Sequence, residues 1–439
     1  MRMMHVLAVI GLCAACSKEP PAVTPAAPST VEQTKVDPVA TSPEKKLALQ
    51  RLSGSTAVDR AVDLAQAAVR RNPANLDLWI SLGHTWVRKA REANDPGFYH
   101  NAKACADVVL RELPENKLAL NLQALVLLNN HEFEAARALA RKILERNADD
   151  AMAYGSLSDA ELELGLYDDA ARDAQTMVDL KPNLPSYSRA SHLAWLRGDV
   201  KGAVDSVKRA IDAGRDPRNR EPRAWVLVQA ATIFLHQGDL DGADAGFDMA
   251  LAWLPEFAPA LAGKGRVAIA RRDAVKAVDY LGRAYKESPL VETAWLLGDA
   301  RALEGDKAGA DDMYARVRSD GRKTDPRTLS LFLSSRGEAP DLALRLAEEE
   351  YAVRKDVYTE DAVAWALYRA GKVEDAKGRI AKARRLGTPD PRLVYHEGAI
   401  RMATGDKQGT KLVEQALAAR SGESWTVEAA ALLDKAKKG

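Results

Sequence analysis

Few residues of this 439-residue chain have the types and spacing of a catalytic or metal site. His131-Glu132 begins like the helix of a zinc protease, but no second histidine follows at the required spacing. Gly263-Lys264-Gly265 lacks the preceding glycine and the following serine or threonine of a phosphate-binding loop. No Gly-x-Ser-x-Gly sequence is present, and the seven histidines are scattered along the chain. We therefore expect no catalytic residue, no bound metal ion and no cofactor.

Two of the three cysteines lie in an N-terminal segment typical of an exported protein. Arg2 supplies a short basic region, and residues 6–15 form an apolar run of ten residues. That run is shorter than the roughly 20 apolar residues that a membrane-spanning helix needs, and it fits the apolar region of a secretory signal. Residues 1–15 are therefore predicted to be a signal peptide.

The end of this segment resembles a bacterial lipobox, in which small residues precede a cysteine that is acylated after cleavage. Ala14 and Ala15 are the small residues, and Cys16 is the lipidated residue that the resemblance implies. Cys13 replaces the leucine expected three places before it, and Leu12 lies one place further back. Cys13 is the less favoured acceptor because bulky Leu12 would flank the cleavage site. An ordinary cleaved signal or an uncleaved anchor is the alternative interpretation.

The resemblance also implies a location at the outer membrane. Ser17, rather than aspartate, follows Cys16, and the sorting rule for enterobacterial lipoproteins then favours the outer membrane, facing the periplasm. Residues 16–43 are rich in proline, so we expect an extended tether that reaches up to roughly 80 Å at about 3.1 Å per residue. Cys105 is then the single thiol of the mature chain, which excludes an intrachain disulfide, and we expect it to be a buried small apolar residue.

The rest of the chain, residues 44–439, is built from a repeat that is clearest in residues 151–182. Two amphipathic runs meet at Gly165, Ala170 follows five residues later, and Pro182 closes the unit. Glycine takes the left-handed conformation that ends a helix, alanine lets two helices approach closely, and proline cannot continue a helix. The pattern is similar to the tetratricopeptide repeat (TPR), a helix–turn–helix unit of 34 residues.

The turn glycines keep this phase towards the C-terminus. Spacings of 32, 34 and 34 residues separate four of them, Gly305, Gly337, Gly371 and Gly405. The same phase places turns without glycine at His131 and Arg272. We predict an all-α, right-handed TPR solenoid of nine to ten units that ends in a capping helix from about Trp425.

Other features of the chain are explained by this repeat rather than by chemistry. Packing is the expected role of four tryptophans that recur at core positions, Trp79, Trp195, Trp225 and Trp295. Seven extra residues before Ala102 are expected to lengthen one turn, and residues 215–222 to form an irregular loop. Residues 354–371 and 385–398 also resemble a recurrent group of bacterial TPR proteins, which supports the fold more than a function.

The first helix of each TPR unit lines a concave face, and the resemblance implies that a protein or peptide partner binds there. Four arginines are assigned to this face, where they would clamp an acidic peptide or a C-terminal carboxylate: Arg189, Arg197, Arg223 and Arg266. Trp365, Tyr368 and Arg369 are assigned to its C-terminal end as an aromatic anchor. The alternatives are that the arginines only solvate an exposed face and that the aromatic residues belong to the core.

Charge narrows the class of partner. Lys and Arg together number 63, and Asp and Glu number 62, so the chain lacks the basic excess of a nucleic-acid binder. The sequence favours a non-catalytic, lipid-anchored scaffold that assembles or stabilises an envelope complex. An enzyme or accessory subunit acting on peptidoglycan or other glycans is the alternative, with a site near Asp95 or Asn219. Self-association through the terminal helices is a third hypothesis.

Overall fold

The computed structural model describes residues 37–93, 95–216 and 220–438. These residues form helices and no strand, so the prediction of an all-α chain is confirmed. The predicted signal peptide, Cys16 and most of the predicted tether lie outside the described residues. Within the described ranges, none of the helices combines the length and the apolar character that a membrane span requires.

The described residues contain 23 helices, most of which pack as consecutive hairpins. In the first half of the chain they are α1 Pro43–Ala48, α2 Ala57–Arg71, α3 Leu76–Ala93, α4 Gly97–Glu112, α5 Lys117–Asn129, α6 Phe133–Arg146, α7 Ala151–Glu163, α8 Tyr167–Leu180, α9 Leu184–Leu196, α10 Val200–Ala213, α11 Arg220–His236 and α12 Leu240–Trp253. In the second half they are α13 Ala258–Ala270, α14 Ala274–Glu287, α15 Val291–Glu304, α16 Lys307–Thr324, α17 Pro326–Arg336, α18 Pro340–Val353, α19 Val357–Arg369, α20 Val373–Ala383, α21 Pro391–Ala403, α22 Gln408–Ala418 and α23 Trp425–Lys438. Ten hairpins run from α3–α4 to α21–α22, and α23 follows them as the predicted capping helix.

Most hairpins turn through one residue in the left-handed conformation. At Gly165 the φ angle is 75°, and the amide of Leu166 donates to the carbonyl of Glu161 at 2.8 Å. This bond belongs to the Schellman motif, which satisfies carbonyls that the end of a helix leaves free. His131 (φ 62°) and Arg272 (φ 60°) occupy the same position without being glycine. The phase predicted from the glycine spacing is therefore confirmed even where the glycine is missing.

The alanine and the proline of the repeat also act as predicted. The alanines five residues after the turn, or six in the case of Ala343, are here called the interhelix alanines, and they are buried: Ala170, Ala203, Ala243, Ala277, Ala310, Ala343 and Ala376. Second helices end two residues before the proline, as α8 does before Pro182 and α12 before Pro255. Each hairpin leaves an apolar edge that only the next hairpin covers, so stability is a sum over neighbours.

Two irregularities differ from the prediction. The extra residues before Ala102 lengthen a helix rather than the turn, because α3 has 18 residues against 13 in α5. Residues 220–222, which were assigned to an irregular loop, are helical because α11 begins at Arg220. Pro222 is tolerated there, since the first amides of a helix have no acceptor within it.

The last residues of the predicted tether pack on the solenoid. Pro43 is the first residue of α1, and the Ser42 hydroxyl caps the N-terminus of that helix. Further back, Asp37 is ion-paired with Arg70 of α2, with 2.6 Å between carboxylate oxygen and Nε. The folded unit therefore includes several residues before the predicted boundary at 44.

Successive turns of the superhelix touch one another through backbone groups. Beside the α7–α8 turn, the amide of Lys355 donates to the carbonyl of Glu163 at 2.7 Å. Beside the α9–α10 turn, Thr388 Oγ1 donates to the carbonyl of Leu196 at 2.7 Å, across 192 residues of sequence. The α19–α20 hairpin, six hairpins further along the chain, therefore lies beside the α7–α8 hairpin. These contacts close one wall of the superhelix.

The substitution Gly165→Ala is expected to open this wall. A Cβ atom at Gly165 would lie 2.6 Å from the carbonyl oxygen of Lys355, so one of the two backbones has to move. Gly371 is a matched control, because its φ is 77° and a Cβ atom there would meet nothing within 4 Å. Both substitutions incur the left-handed strain of an L-residue, on the order of 1–2 kcal/mol.

We therefore expect Gly165→Ala to reduce the free energy of unfolding more than Gly371→Ala does, and to enlarge the radius of gyration. Denaturant titration and small-angle X-ray scattering measure the two quantities. Equal effects of both substitutions would contradict the contact between superhelical turns.

Candidate functional site

The superhelix encloses a cavity of about 2490 Å³, here called the lumen. Its wall is formed by the first helices of the hairpins, from α3 to α21, and by residues 421–425. The lumen is therefore the concave face that the repeat predicts. Contacts between superhelical turns close this face on one side.

Lumen side chains recur at fixed distances before the interhelix alanines. Positions eleven residues before the alanine supply His192, Thr232 and Arg266. Positions eighteen residues before it supply Trp225, Glu292 and Tyr358. The two positions differ by seven residues, which is about two turns of an α-helix, so they lie on one face. Counting from the alanine thus identifies residues that inspection of residue types alone missed, such as His192 and Tyr358.

Trp225 is a lumen residue, so its assignment to packing is wrong. Its side chain is 46% exposed, whereas the other three tryptophans of that assignment are buried. Register is the reason: Trp225 lies two residues before the core position, which Leu227 occupies with 2% exposure. An indole exposed on a concave wall combines a large apolar area with a polar N–H group and is well suited to anchor a partner.

Two of the four arginines assigned to the concave face line the lumen. Arg189, on α9, donates to both carboxylate oxygens of Asp159, at 2.8 and 2.6 Å. Arg266, on α13, is ion-paired with Glu292 at 2.8 Å and also with Glu423. Acids of the chain itself thus hold both guanidinium groups, and a carboxylate of a partner would have to displace one of them.

The other two arginines assigned to the concave face do not line the lumen. Arg197, just after α9, is ion-paired with Asp168 at 2.6 Å. Arg223 donates to the carbonyl of Gly214 at 2.9 Å, and its guanidinium carbon lies 4.3 Å from the ring centroid of Trp253. Both side chains contact groups at the ends of neighbouring helices.

The predicted aromatic anchor lies beside residues 421–428, here called the C-terminal segment. Trp365 is 1% exposed and stacks on His396 with 4.0 Å between ring centroids, so its assignment to a partner site is wrong. Tyr368 is half-buried, with its ring centroid 5.1 Å from that of Trp365. Arg369 is ion-paired with Glu428 of the C-terminal segment. The core alternative is thus the correct one for Trp365.

Two histidines and a further arginine also line the lumen. Burial lowers the pKa of His192. Burial also lowers the pKa of His236, although the negative charge of Asp390 acts to raise it. Both imidazoles are therefore neutral at pH 7. Arg392 lines the lumen, and its Nε is buried without a hydrogen-bond partner among the described residues.

In the described ranges, no group of three or more His, Cys, Asp or Glu side chains is arranged to hold a metal ion. Cys105 is fully buried, and burial raises the pKa of its thiol. Since the thiolate is the nucleophilic form, this confirms the expectation of a small apolar residue.

The family of the repeat is established by comparison as well as by geometry. Residues 121–185 match the family model of the tetratricopeptide repeat, and this segment spans the α5–α6 and α7–α8 hairpins. The chain carries tetratricopeptide repeats. Its hairpins pack in consecutive pairs, so the described residues form a TPR-type α-solenoid.

Relatives of this TPR chain are distant. It is 24% identical over 278 residues to cellulose synthase operon protein C of Pseudomonas fluorescens, which covers 61% of this chain but 20% of that protein. The chain therefore spans about a fifth of that relative's length. A structure of Pseudomonas aeruginosa PilF is 15% identical with a TM-score of 0.41, covering 50% of this chain and 98% of that one. Human IFIT1 is 13% identical with a TM-score of 0.48, covering 87% and 96%. These two structural similarities concern the fold alone.

Asp299 gives the solenoid a pH-dependent element beside the C-terminal segment. It lies eleven residues before Ala310, on α15, and accepts a hydrogen bond from Tyr314 Oη at 2.8 Å. Burial raises the pKa of its carboxyl to about 6, although hydrogen bonds from Ser424 and Tyr314 oppose this shift. The ordinary value is 3.8, so the folded state binds the proton more tightly than the unfolded state does.

The free energy of unfolding is therefore expected to fall as the pH rises from about 4 to about 6, and to stay lower above that range. In Asp299→Asn this loss should disappear, which makes the variant more stable than the wild type at pH 7 and little different at pH 4. Denaturant titration at several pH values measures the effect, with the exposed Asp434→Asn as the control. An unchanged pH dependence in Asp299→Asn would contradict the assignment.

Proposed function

We propose that this TPR chain is a non-catalytic scaffold that holds an extended segment of a partner protein in its lumen. We further propose that the chain is lipidated at Cys16 and anchored to the bacterial outer membrane, where it assembles or stabilises an envelope complex. The observation that carries the first part is the enclosed lumen with the exposed Trp225 on its wall.

The size of the lumen supports a polymer as the ligand. Pockets for small molecules have volumes of roughly 300–1,000 Å³, and the lumen, at about 2490 Å³, is several times larger than most of them. Contacts between superhelical turns close one wall, which disfavours the entry of a folded domain. An extended chain satisfies both constraints, and such segments are commonly bound through a few anchoring side chains.

The charges of the lumen support a protein rather than a nucleic acid. Eleven aspartates and glutamates line the wall, against eight arginines and lysines. A nucleic-acid site needs a basic excess to neutralise phosphates, and this wall has the opposite balance. Paired acids and arginines, with an indole between them, suit the mixed polar and apolar surface of a peptide.

The envelope location rests on the N-terminal sequence. The lipobox-like residues before Cys16 and the proline-rich tether support an anchored scaffold, although both lie outside the described residues. The name of the relative, cellulose synthase operon protein C, supports a role beside a multi-component system.

The alternative of a glycan-acting enzyme has less support at one of its two candidate loops. Asp95 Oδ1 accepts from the amide of Gly97 at 2.8 Å, so this carboxylate stabilises the turn before α4. Asn219 lies outside the described residues.

Photo-crosslinking in cells tests the lumen as the binding site. A photoreactive amino acid in place of Trp225 is expected to form a covalent adduct of defined mass with one partner, because this side chain faces the lumen. Met249 is the matched control: it is 52% exposed on α12 and does not line the lumen. Gel analysis and mass spectrometry identify the adducts. Identical adducts from both positions, or none from position 225, would contradict the proposal.

Labelling with a fatty-acid precursor tests the anchor. The wild-type chain is expected to take up the label and Cys16→Ser to lose it, since the thiol at the lipobox cysteine is the acceptor. Cys105→Ser is the control that should keep the label, because this thiol is buried. Cys13→Ser distinguishes the other candidate acceptor. Retention of the label by Cys16→Ser would refute lipidation at this cysteine.

A further inference from the structure

The C-terminal segment, residues 421–428, reaches well beyond the last repeat. Glu423 is ion-paired with Arg266 of α13, across 157 residues of sequence. Glu428 is ion-paired with Arg369 of α19. The segment, whose residues 425–428 form the first turn of α23, therefore contacts the first helices of two separate hairpins.

Capping alone does not require these contacts. The apolar edge of the last hairpin is covered by the rest of α23, where Ala429 and Leu433 are 0% and 6% exposed. Before that helix, Arg420 and Gly422 have φ angles of 52° and 66°. A Cβ atom at Gly422 would lie 2.6 Å from Cα of Ala270, so the backbone of the segment lies directly against α13.

The surface under the segment has a definite chemistry. Arg266 holds the carboxylate of Glu423, the ring of Tyr395 stacks on Trp425 with 5.3 Å between centroids, and Arg369 holds the carboxylate of Glu428. The segment thus presents an acid, an aromatic residue two positions later and a second acid three positions after that. These three side chains contact an arginine, a tyrosine ring and a second arginine, in that order. Here this surface is called the acid–aromatic site, formed by Arg266, Tyr395 and Arg369.

We infer that the acid–aromatic site is a binding site for a partner segment of this chemistry, and that the C-terminal segment is its internal competitor. The inference rests on the proposed function, because it places the site in the wall of the same lumen, to which Arg266, Glu423 and Trp425 belong. Charge complementarity determines the kind of ligand. Arg266 and Arg369 are each about one-fifth exposed and are paired with carboxylates of the chain. A ligand that displaces these carboxylates must therefore supply acidic groups of its own.

The competition has a physical basis in effective concentration. A ligand that belongs to the same chain is present at high local concentration, so it fills the site unless a partner segment binds more tightly or is also tethered nearby. Removal of the internal acids is therefore expected to open the site to a ligand in solution, without any change in Arg266, Tyr395 or Arg369.

A labelled synthetic peptide with the sequence of residues 419–430 is the probe for this site. The receptor is the full chain with Glu423→Gln, Trp425→Ala and Glu428→Gln, here called the released variant. We expect the released variant to bind the peptide at least tenfold more tightly than the wild type, measured by fluorescence anisotropy. Additional Arg266→Ala and Arg369→Ala substitutions should abolish this gain, and so should a peptide in which both glutamates are glutamine.

A second receptor controls for the possibility that Trp425→Ala unfolds the released variant. The double variant Glu423→Gln with Glu428→Gln keeps Trp425, which is 7% exposed and part of the core. It is expected to bind the peptide more tightly than the wild type and less tightly than the released variant, with circular dichroism as the check on helix content. If neither folded variant binds better than the wild type, the acid–aromatic site does not exist. This outcome is independent of the crosslinking at Trp225, which tests the proposed function with a cellular partner.

Discussion

A narrow strip of contacts between successive superhelical turns determines the character of this solenoid. The amide of Val357 donates to Tyr167 Oη at 2.8 Å, and Arg385 donates to the carbonyl of Gly165 nearby. Burial raises the pKa of Tyr167 far above its ordinary value, so the hydroxyl remains protonated and neutral in this contact. Without the strip, the hairpins would form an open spiral whose concave face is bathed in water. With it, the same face becomes the wall of an interior.

The charged side chains of the lumen wall form ion pairs within the chain. Arginines of the wall are held by acids of the chain itself, as Arg189 is by Asp159 and Arg266 by Glu292. Recognition in such a place proceeds by exchange of one ion pair for another, which adds specificity more than affinity. The affinity then has to come from apolar contact, for which Trp225 provides the largest exposed surface in the lumen.

The local rules of the repeat were sufficient to predict the fold but not the site. The left-handed turns at His131 and Arg272 were found by phase alone, since phase is fixed by nearest neighbours. Arg197 and Arg223 were assigned from the repeat positions that line the concave face of TPR arrays in general, but here both side chains bind groups of neighbouring helices and do not line the lumen. Burial of Trp365 was beyond any such rule. It depends on packing against His396 and Tyr395 of a neighbouring hairpin, and such contacts leave no periodic signal in the sequence.

The closed wall affects the rates at which a partner chain binds and dissociates. A chain held in an open groove dissociates sideways, one contact after another. A chain held behind the contacts of Lys355 with Glu163 and of Thr388 with Leu196 has no sideways exit through that wall. It leaves by sliding along the axis or waits until the superhelical turns separate, and the same steps limit its entry. Such a complex would form slowly and persist for long times at modest affinity, because one barrier governs both directions.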